Sequence, residues 1–247
     1  MIGILIIARM GSTRLPGKHL QMINNKYAIE WLIMRINSQL KDISNKKVII
    51  ATSTEPDNKQ FEILKPMYNV EIFYGSNGNI PNRILDCATM YALDKIVCIG
   101  GDNPLTTMIG CKDVIEKLDV NDYVETYNLP IGMNVFGFTY KSLVYNLTDE
   151  YKNKVDLEFG WNLIFKNIYR IKYNEKIYDN VRVTMDYYDD YIFFKTVIEF
   201  VGDSIVNITD AELIQVILDN NFHTINNHLL TEYWVRFNRG LDSTFNK

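Results

Sequence analysis

Apolar residues recur along the first half of the chain in two alternating patterns. Short unbroken runs at 2–8, 48–51, 70–74 and 95–100 have the length and β-branched content of strands buried on both faces. Between them lie stretches with helical spacing. Residues 28–40 carry Ile29, Leu32, Ile33 and Ile36, 58–68 place Phe61 and Leu64 on one face, and 83–93 and 107–118 repeat the pattern. Strand–helix alternation supplies the crossovers that parallel strands need, and it puts helices on both sheet faces. The expectation is an α/β chain whose first half is doubly wound. In the second half, 122–127, 133–139, 168–173 and 181–185 read as strands. Residues 155–166, 188–201 and 210–219 read as helices, the last opened by Thr209 as an N-cap. No Pro-, Gly- or Ser-rich linker divides the halves and no internal repeat occurs, so a single domain over 1–247 with a β-rich insertion is expected.

Composition narrows the function classes. Of the 247 residues, 47% are apolar, which suits a packed globular protein and not a disordered one. Lys plus Arg is 26 against 30 Asp plus Glu, a net charge of -4, so a nucleic-acid partner is not expected. No run of eighteen apolar residues is present, and no membrane partner is expected. The chain enters Ile2–Ile7 without a basic leader, which reads as a first strand and not a signal peptide. Cys87, Cys98 and Cys111 lack metal-type spacing and read as small core residues in a reducing cytoplasm. His19, His223 and His228 form no metal-binding pair and read as surface or core residues.

The densest candidate chemistry follows the first strand, in Ala8-Arg9-Met10-Gly11-Ser12-Thr13-Arg14-Leu15-Pro16-Gly17-Lys18. Ligands in open parallel sheets bind at the carboxyl ends of strands. Gly11 allows close backbone approach, Ser12 and Thr13 offer hydroxyls, and successive amides in such a turn favour anions. Arg9, Arg14 and Lys18 add three cations suited to phosphate. Two familiar phosphate loops fail on spacing: Gly-x-Gly-x-x-Gly is missing, and His19 stands where a Walker loop needs Ser or Thr after its Lys. Two further strand-like runs end in aspartate, at Gly100-Gly101-Asp102-Asn103-Pro104-Leu105 and at Val183-Thr184-Met185-Asp186. Each alone suits a turn or helix cap; together they suit Mg²⁺, which takes a few carboxylates plus phosphate and water.

The run Arg9–Lys18 closely resembles the loop of spore-coat-polysaccharide-type cytidylyltransferases, relatives of the CMP-sialate and CMP-KDO synthetases. The resemblance implies a Rossmann-like nucleotidyltransferase fold of GT-A type, with a mostly parallel central sheet and helices on both faces. It makes residues 1–120 the nucleotide-binding half and 121–247 the acceptor-binding and dimerisation half. It implies CTP as co-substrate, Arg14 and Lys18 on the triphosphate, and the 8–12 backbone (Ala8, Arg9, Met10, Gly11, Ser12) beside the nucleotide. Asp102 and Asp186 would be the Mg²⁺ ligands, with Gly101 next to the nucleotide. Ala51-Thr52-Ser53-Thr54 resembles the family's segment beside cytosine, so Thr52 and Ser53 are base-side candidates, although Ser53 and Thr54 equally suit a helix cap. Arg83 is retained from a motif whose acidic positions are Asn79 and Asn82 here.

The acceptor half departs further. Asn134 and Phe136 stand where the family has acids, and Glu158-Phe159-Gly160-Trp161 replaces Glu-His-Val-Thr. These changes point to an anionic small-molecule acceptor other than the usual sugar acids; one relative of this type activates phosphoglutamine, forming CDP-glutamine for capsule decoration. The expected reaction is Mg²⁺-dependent transfer of CMP from CTP with release of pyrophosphate, in surface polysaccharide or capsule precursor synthesis. A homodimer is expected from the related synthetases, with Trp161, Phe165 and Trp234 as interface or core residues. The alternatives are a GT-A glycosyltransferase, disfavoured because no Asp-x-Asp occurs in the chain, and a nucleotide-binding module without turnover.

Overall fold

The structure, a computed structural model, describes residues 1–175 and 178–245. Its strands are β1 (Ile2–Ile7), β2 (Met22–Ile23), β3 (Lys26–Tyr27), β4 (Lys46–Ser53), β5 (Glu71–Gly75), β6 (Lys95–Gly100), β7 (Tyr123–Tyr127), β8 (Phe136–Thr139) and β9 (Tyr169–Lys172). Its α-helices are α1 (Ala28–Gln39), α2 (Lys65–Tyr68), α3 (Ile80–Met90), α4 (Met108–Lys117), α5 (Tyr140–Asn146), α6 (Asp149–Lys152), α7 (Tyr188–Val201), α8 (Asp210–Asp219) and α9 (Leu229–Phe245).

Seven strands make one sheet in the order β5-β4-β1-β6-β8-β7-β9. The first four are parallel, as the crossovers require. β8 then runs antiparallel to both β6 and β7, and β9 returns parallel to β7. The β-rich second half therefore continues the same sheet. Alternation within β1 divides the core between two faces. Ile4 and Ile6 pack with Ile29, Leu32 and Ile36 of α1, while Leu5 packs with Ile84 and Ala88 of α3 on the other side. All three are fully buried, each contributing about 1.5–3 kcal/mol by leaving water.

Three expectations need correction. Residues 155–166 are not a helix: Trp161–Ile164 form one 3-10 turn, entered through Gly160 at φ 61, and Leu157 makes an isolated bridge with Asn79. An αL residue interrupts the helical run, so the apolar spacing there fills a loop. Residues 181–185 are extended but join no strand of the sheet; Arg182 makes a single bridge with Ile131. Residues 133–135 precede β8 and do not belong to it. The remaining elements fall close to their predicted places, although 58–68 divides into a 3-10 stretch, Pro56–Leu64, followed by α2. Thr209 does cap α8, with a reciprocal Glu212 contact.

Candidate active site

The sheet register sets the site. Ile7 lies opposite both Ala51 and Gly100, so β1 and β6 end at one level, β4 runs two residues further to Ser53, and all three release their loops at a common edge. Gly101 donates its N–H to the Ile7 carbonyl at 2.9 Å, tying the β6 turn to the start of the 8–18 loop. A Cβ on Gly101 would stand 2.7 Å from that of Ala8 and 3.2 Å from the His19 ring, so glycine permits the close packing. In the loop itself the left-handed residue is Gly17, at φ 63; a Cβ on Gly11 would meet only an ordinary 3.8 Å contact with Glu55. Asn58 braces the loop from beneath, accepting from Met10 N–H at 2.7 Å and donating to the Ser53 carbonyl and hydroxyl.

These elements surround a cavity of ≈ 510 Å³. Lys18, almost buried, donates from Nζ to Asp102 Oδ2 at 2.6 Å and to Asp186 Oδ1 at 2.9 Å. Arg14 donates to the same Asp186 oxygen at 2.6 Å. Asp102 sits just past β6. Asp186 ends the extended 181–186 segment, held to the β6 turn by Met185 N–H donating to the Asp102 carbonyl at 2.9 Å. Burial alone would push the Asp186 carboxyl up, but Lys18 and Arg14 outweigh it and hold it at about 2. Asp102 and Asp186 in turn raise Lys18 against its own desolvation.

Behind Asp186 lies a buried pair. Arg182 donates to both oxygens of Asp190, at 2.8 and 3.0 Å, and reaches Asp186 Oδ2 at 3.3 Å. Asp190 also accepts from the N–H groups of Asp186 and Tyr187 and from Asn226. It thereby fixes both the backbone and the carboxylate of Asp186. Across the cavity, Arg9 makes a two-pronged bond to Glu158 at 2.5 and 2.9 Å, joining the 8–18 loop to the loop that replaces the expected helix. Burial raises Glu158 despite Arg9.

Ala8, Arg9, Gly11, Ser12, Arg14, Lys18, Arg83, Asp102 and Asp186 all line this cavity. Met10, Thr52, Ser53 and Gly101 lie behind the lining: Met10, Thr52 and Ser53 are buried, and Ser53 serves Glu55 and Asn58. Arg83 spends its donors on the carbonyls of Ser76, Asn77 and Ala51, which makes it a shaping residue. Trp161 and Phe165 are core residues, whereas Trp234 is exposed. The three cysteines are buried and free.

Sequence reasoning missed the contribution of α9. Tyr233, Arg236 and Phe237 line the cavity at helical spacing. Tyr233 covers Arg182 at 5.1 Å, Arg236 lies over Phe159 at 5.4 Å, and Glu232 accepts from the Tyr187 hydroxyl at 2.8 Å. Gly240 presses on Phe159 so closely that a Cβ would come within 2.4 Å of its ring. The available signal was the one-face spacing of Tyr233, Arg236, Phe237 and Gly240.

Among the described residues, no three carboxylate, imidazole or thiol groups gather into a closed metal cage. Two carboxylates converge on one ammonium, and that donor set fits Mg²⁺ completed by phosphate oxygens and water. No helix among the described residues is long and apolar enough to cross a membrane.

A mostly parallel sheet with a cationic loop after its first strand and two carboxylates at the same edge is the arrangement of a nucleotidyltransferase. Residues 3–217 match the family model described as Cytidylyltransferase, and the chain belongs to that family of CTP-dependent enzymes. It is 30% identical over 199 residues to the Methanocaldococcus jannaschii protein MJ1063, covering 77% of this chain and 80% of that one. It is 26% identical over 234 residues to the spore coat polysaccharide biosynthesis protein SpsF of Bacillus subtilis, covering 87% and 93%. The solved structure of a cytidylyltransferase from Leptospira borgpetersenii superposes with a TM-score of 0.75 at 25% identity, covering 91% of this chain and 97% of that one.

Proposed function

We propose that this enzyme transfers CMP from CTP to an anionic small-molecule acceptor, in making a precursor of a surface polysaccharide or capsule. An acceptor oxygen attacks the α-phosphorus, the bond to the β-phosphate oxygen breaks, and pyrophosphate leaves with the electron pair. A phosphate or carboxylate acceptor is already deprotonated at neutral pH, so no side-chain base is needed. Arg14 and Lys18 would draw off the charge that builds on the departing pyrophosphate, where preorganised donors act most strongly. Asp102 and Asp186 would hold Mg²⁺, which supplies charge neutralisation on the phosphates. Glu158, Phe159 and Trp161, with Tyr233, Arg236 and Phe237 from α9, would enclose the acceptor.

The observation that supports this reading most directly is the convergence of Lys18 and Arg14 with Asp102 and Asp186 at one cavity edge. The SpsF likeness supports the polysaccharide setting. The test is a pyrophosphate-release screen crossing CTP, UTP, GTP and ATP with sugar phosphates, sugar acids, polyol phosphates and phosphoglutamine. The reading requires release that depends on CTP and on one acceptor class. Release with another nucleotide alone, or none with any pair, refutes it.

A further inference from the structure

The two aspartates and the cations around them form a balanced cluster. Lys18, Arg14 and Arg182 are directly paired with Asp102, Asp186 and Asp190. The Lys18 ammonium binds one oxygen from each of the two candidate metal ligands. A divalent cation bridging Asp102 and Asp186 needs those same oxygens. It competes with the ammonium for them, because Lys18 and Arg14 already share one Asp186 oxygen and a further double charge would unbalance a cluster of three cations and three carboxylates. Lys18 cannot simply be pushed aside, because a nearly buried ammonium without a partner is costly.

From these contacts we propose that Lys18 is the resident counter-ion of the metal position, and that it yields that position when phosphate oxygens offer it new partners. The inference rests on the reading that this cavity takes CTP with a divalent ion. Binding is then an exchange. Lys18 and Arg14 move from carboxylate to phosphate, and the carboxylates pass to the metal, so every charge ends paired. Arg182 does not take part: Asp190 holds it through two bonds, and while Arg182 keeps Asp186 Oδ2 in place during the exchange, Asp190 keeps the Asp186 backbone N–H. Two consequences follow. The metal binds weakly alone and much more tightly with nucleotide, and by linkage the nucleotide gains the same factor from the metal. Removing the Lys18 charge then acts with opposite signs on the two ligands.

The experiment uses Mn²⁺ as a paramagnetic probe, followed by electron paramagnetic resonance of the free ion, with the full-length chain. For wild type, CTP should tighten Mn²⁺ binding by at least about tenfold, within the usual range of coupling between sites. Lys18→Met, and independently Lys18→Gln, should tighten Mn²⁺ binding in the absence of nucleotide by several-fold, while weakening CTP binding measured by calorimetry. Adding Asp186→Asn to Lys18→Met should abolish the gain, which locates it at this pair. Circular dichroism and melting establish that each variant is folded. If both folded Lys18 variants bind Mn²⁺ alone no better than wild type, the counter-ion role is refuted. If wild type binds Mn²⁺ alone as tightly as with CTP, the exchange is refuted. The nucleotide-free arm separates this proposal from the cytidylyl reading. Should wild type fail to bind CTP while the Lys18 variants still gain Mn²⁺ affinity, the substrate assignment falls and the counter-ion role stands.

Discussion

Replacing His19 with Gln should flatten the decline of stability between about pH 7.5 and about pH 5. His19 sits in the 3-10 turn Lys18–Leu20, nearly inaccessible, with its ring 5.9 Å from that of Phe61 and its Nδ1 without a partner. Burial first, and the Lys18 charge second, lower its pKa from 6.5 to about 4. The unfolded chain therefore takes up a proton near the ordinary histidine value, while the folded chain refuses it until the pH is far lower. Across that interval the unfolded state binds more protons, so stability rises with pH and is lost as pH falls. Over the stated range the loss is about 2 kcal/mol, and about 3 kcal/mol once the folded value is passed, at 1.36 kcal/mol per unit. The assay is urea denaturation of wild type and His19→Gln at a series of pH values, followed by tryptophan fluorescence. Subtracting one curve from the other cancels the groups they share. Stability curves that stay parallel within about 0.5 kcal/mol over that range would refute the burial argument.

Three further outcomes follow from contacts in and behind the cavity. Lys18→Ala should cut kcat by about 10²–10³, as loss of one preorganised donor does, and a near-normal turnover in a saturating steady-state assay counts against its place on the leaving group. Arg182→Met should destabilise the fold by about 3–5 kcal/mol, because it strands the Asp190 carboxylate inside the protein; a melting temperature near wild type contradicts this. Arg236→Gln should raise the acceptor KM while leaving the CTP KM unchanged, measured by pyrophosphate release, since Arg236 lines the cavity over Phe159 of the proposed acceptor side.

The part of the site nearest β1 and β6 was legible because local chemistry and topology agree there. Unbroken apolar runs mark buried parallel strands, and whatever follows them must emerge at the carboxyl edge. Arg14, Lys18 and Asp102 could be placed from that rule alone. Asp186 was placed for a partly mistaken reason: 181–185 alternates like a strand, but it is a lone extended segment held by Ile131, the Asp102 carbonyl and Asp190. For Thr52 and Ser53 a strand-end position does not say whether a side chain points out of the edge or into the core, and both side chains are buried. Residues 155–166 misled because helical spacing of apolar residues also fits a loop folded over a core, and only Gly160 announced the break. The α9 face showed only in the spacing of Tyr233, Arg236, Phe237 and Gly240, and nothing local says that such a face meets a pocket whose N-terminal loop lies more than two hundred residues away.

The unequal mounting of the two aspartates has a mechanical consequence. Asp102 is rooted in the central frame, where a shift of its turn would strain β6 and its neighbours. Asp186 ends a segment beside the frame, seated in the core through Val181, Val183 and Met185 and tied by Ile131, Asp102 and Asp190. Displacing either one therefore disturbs a different part of the interior: the sheet for Asp102, the packing against Phe193 and Phe194 of α7 for Asp186.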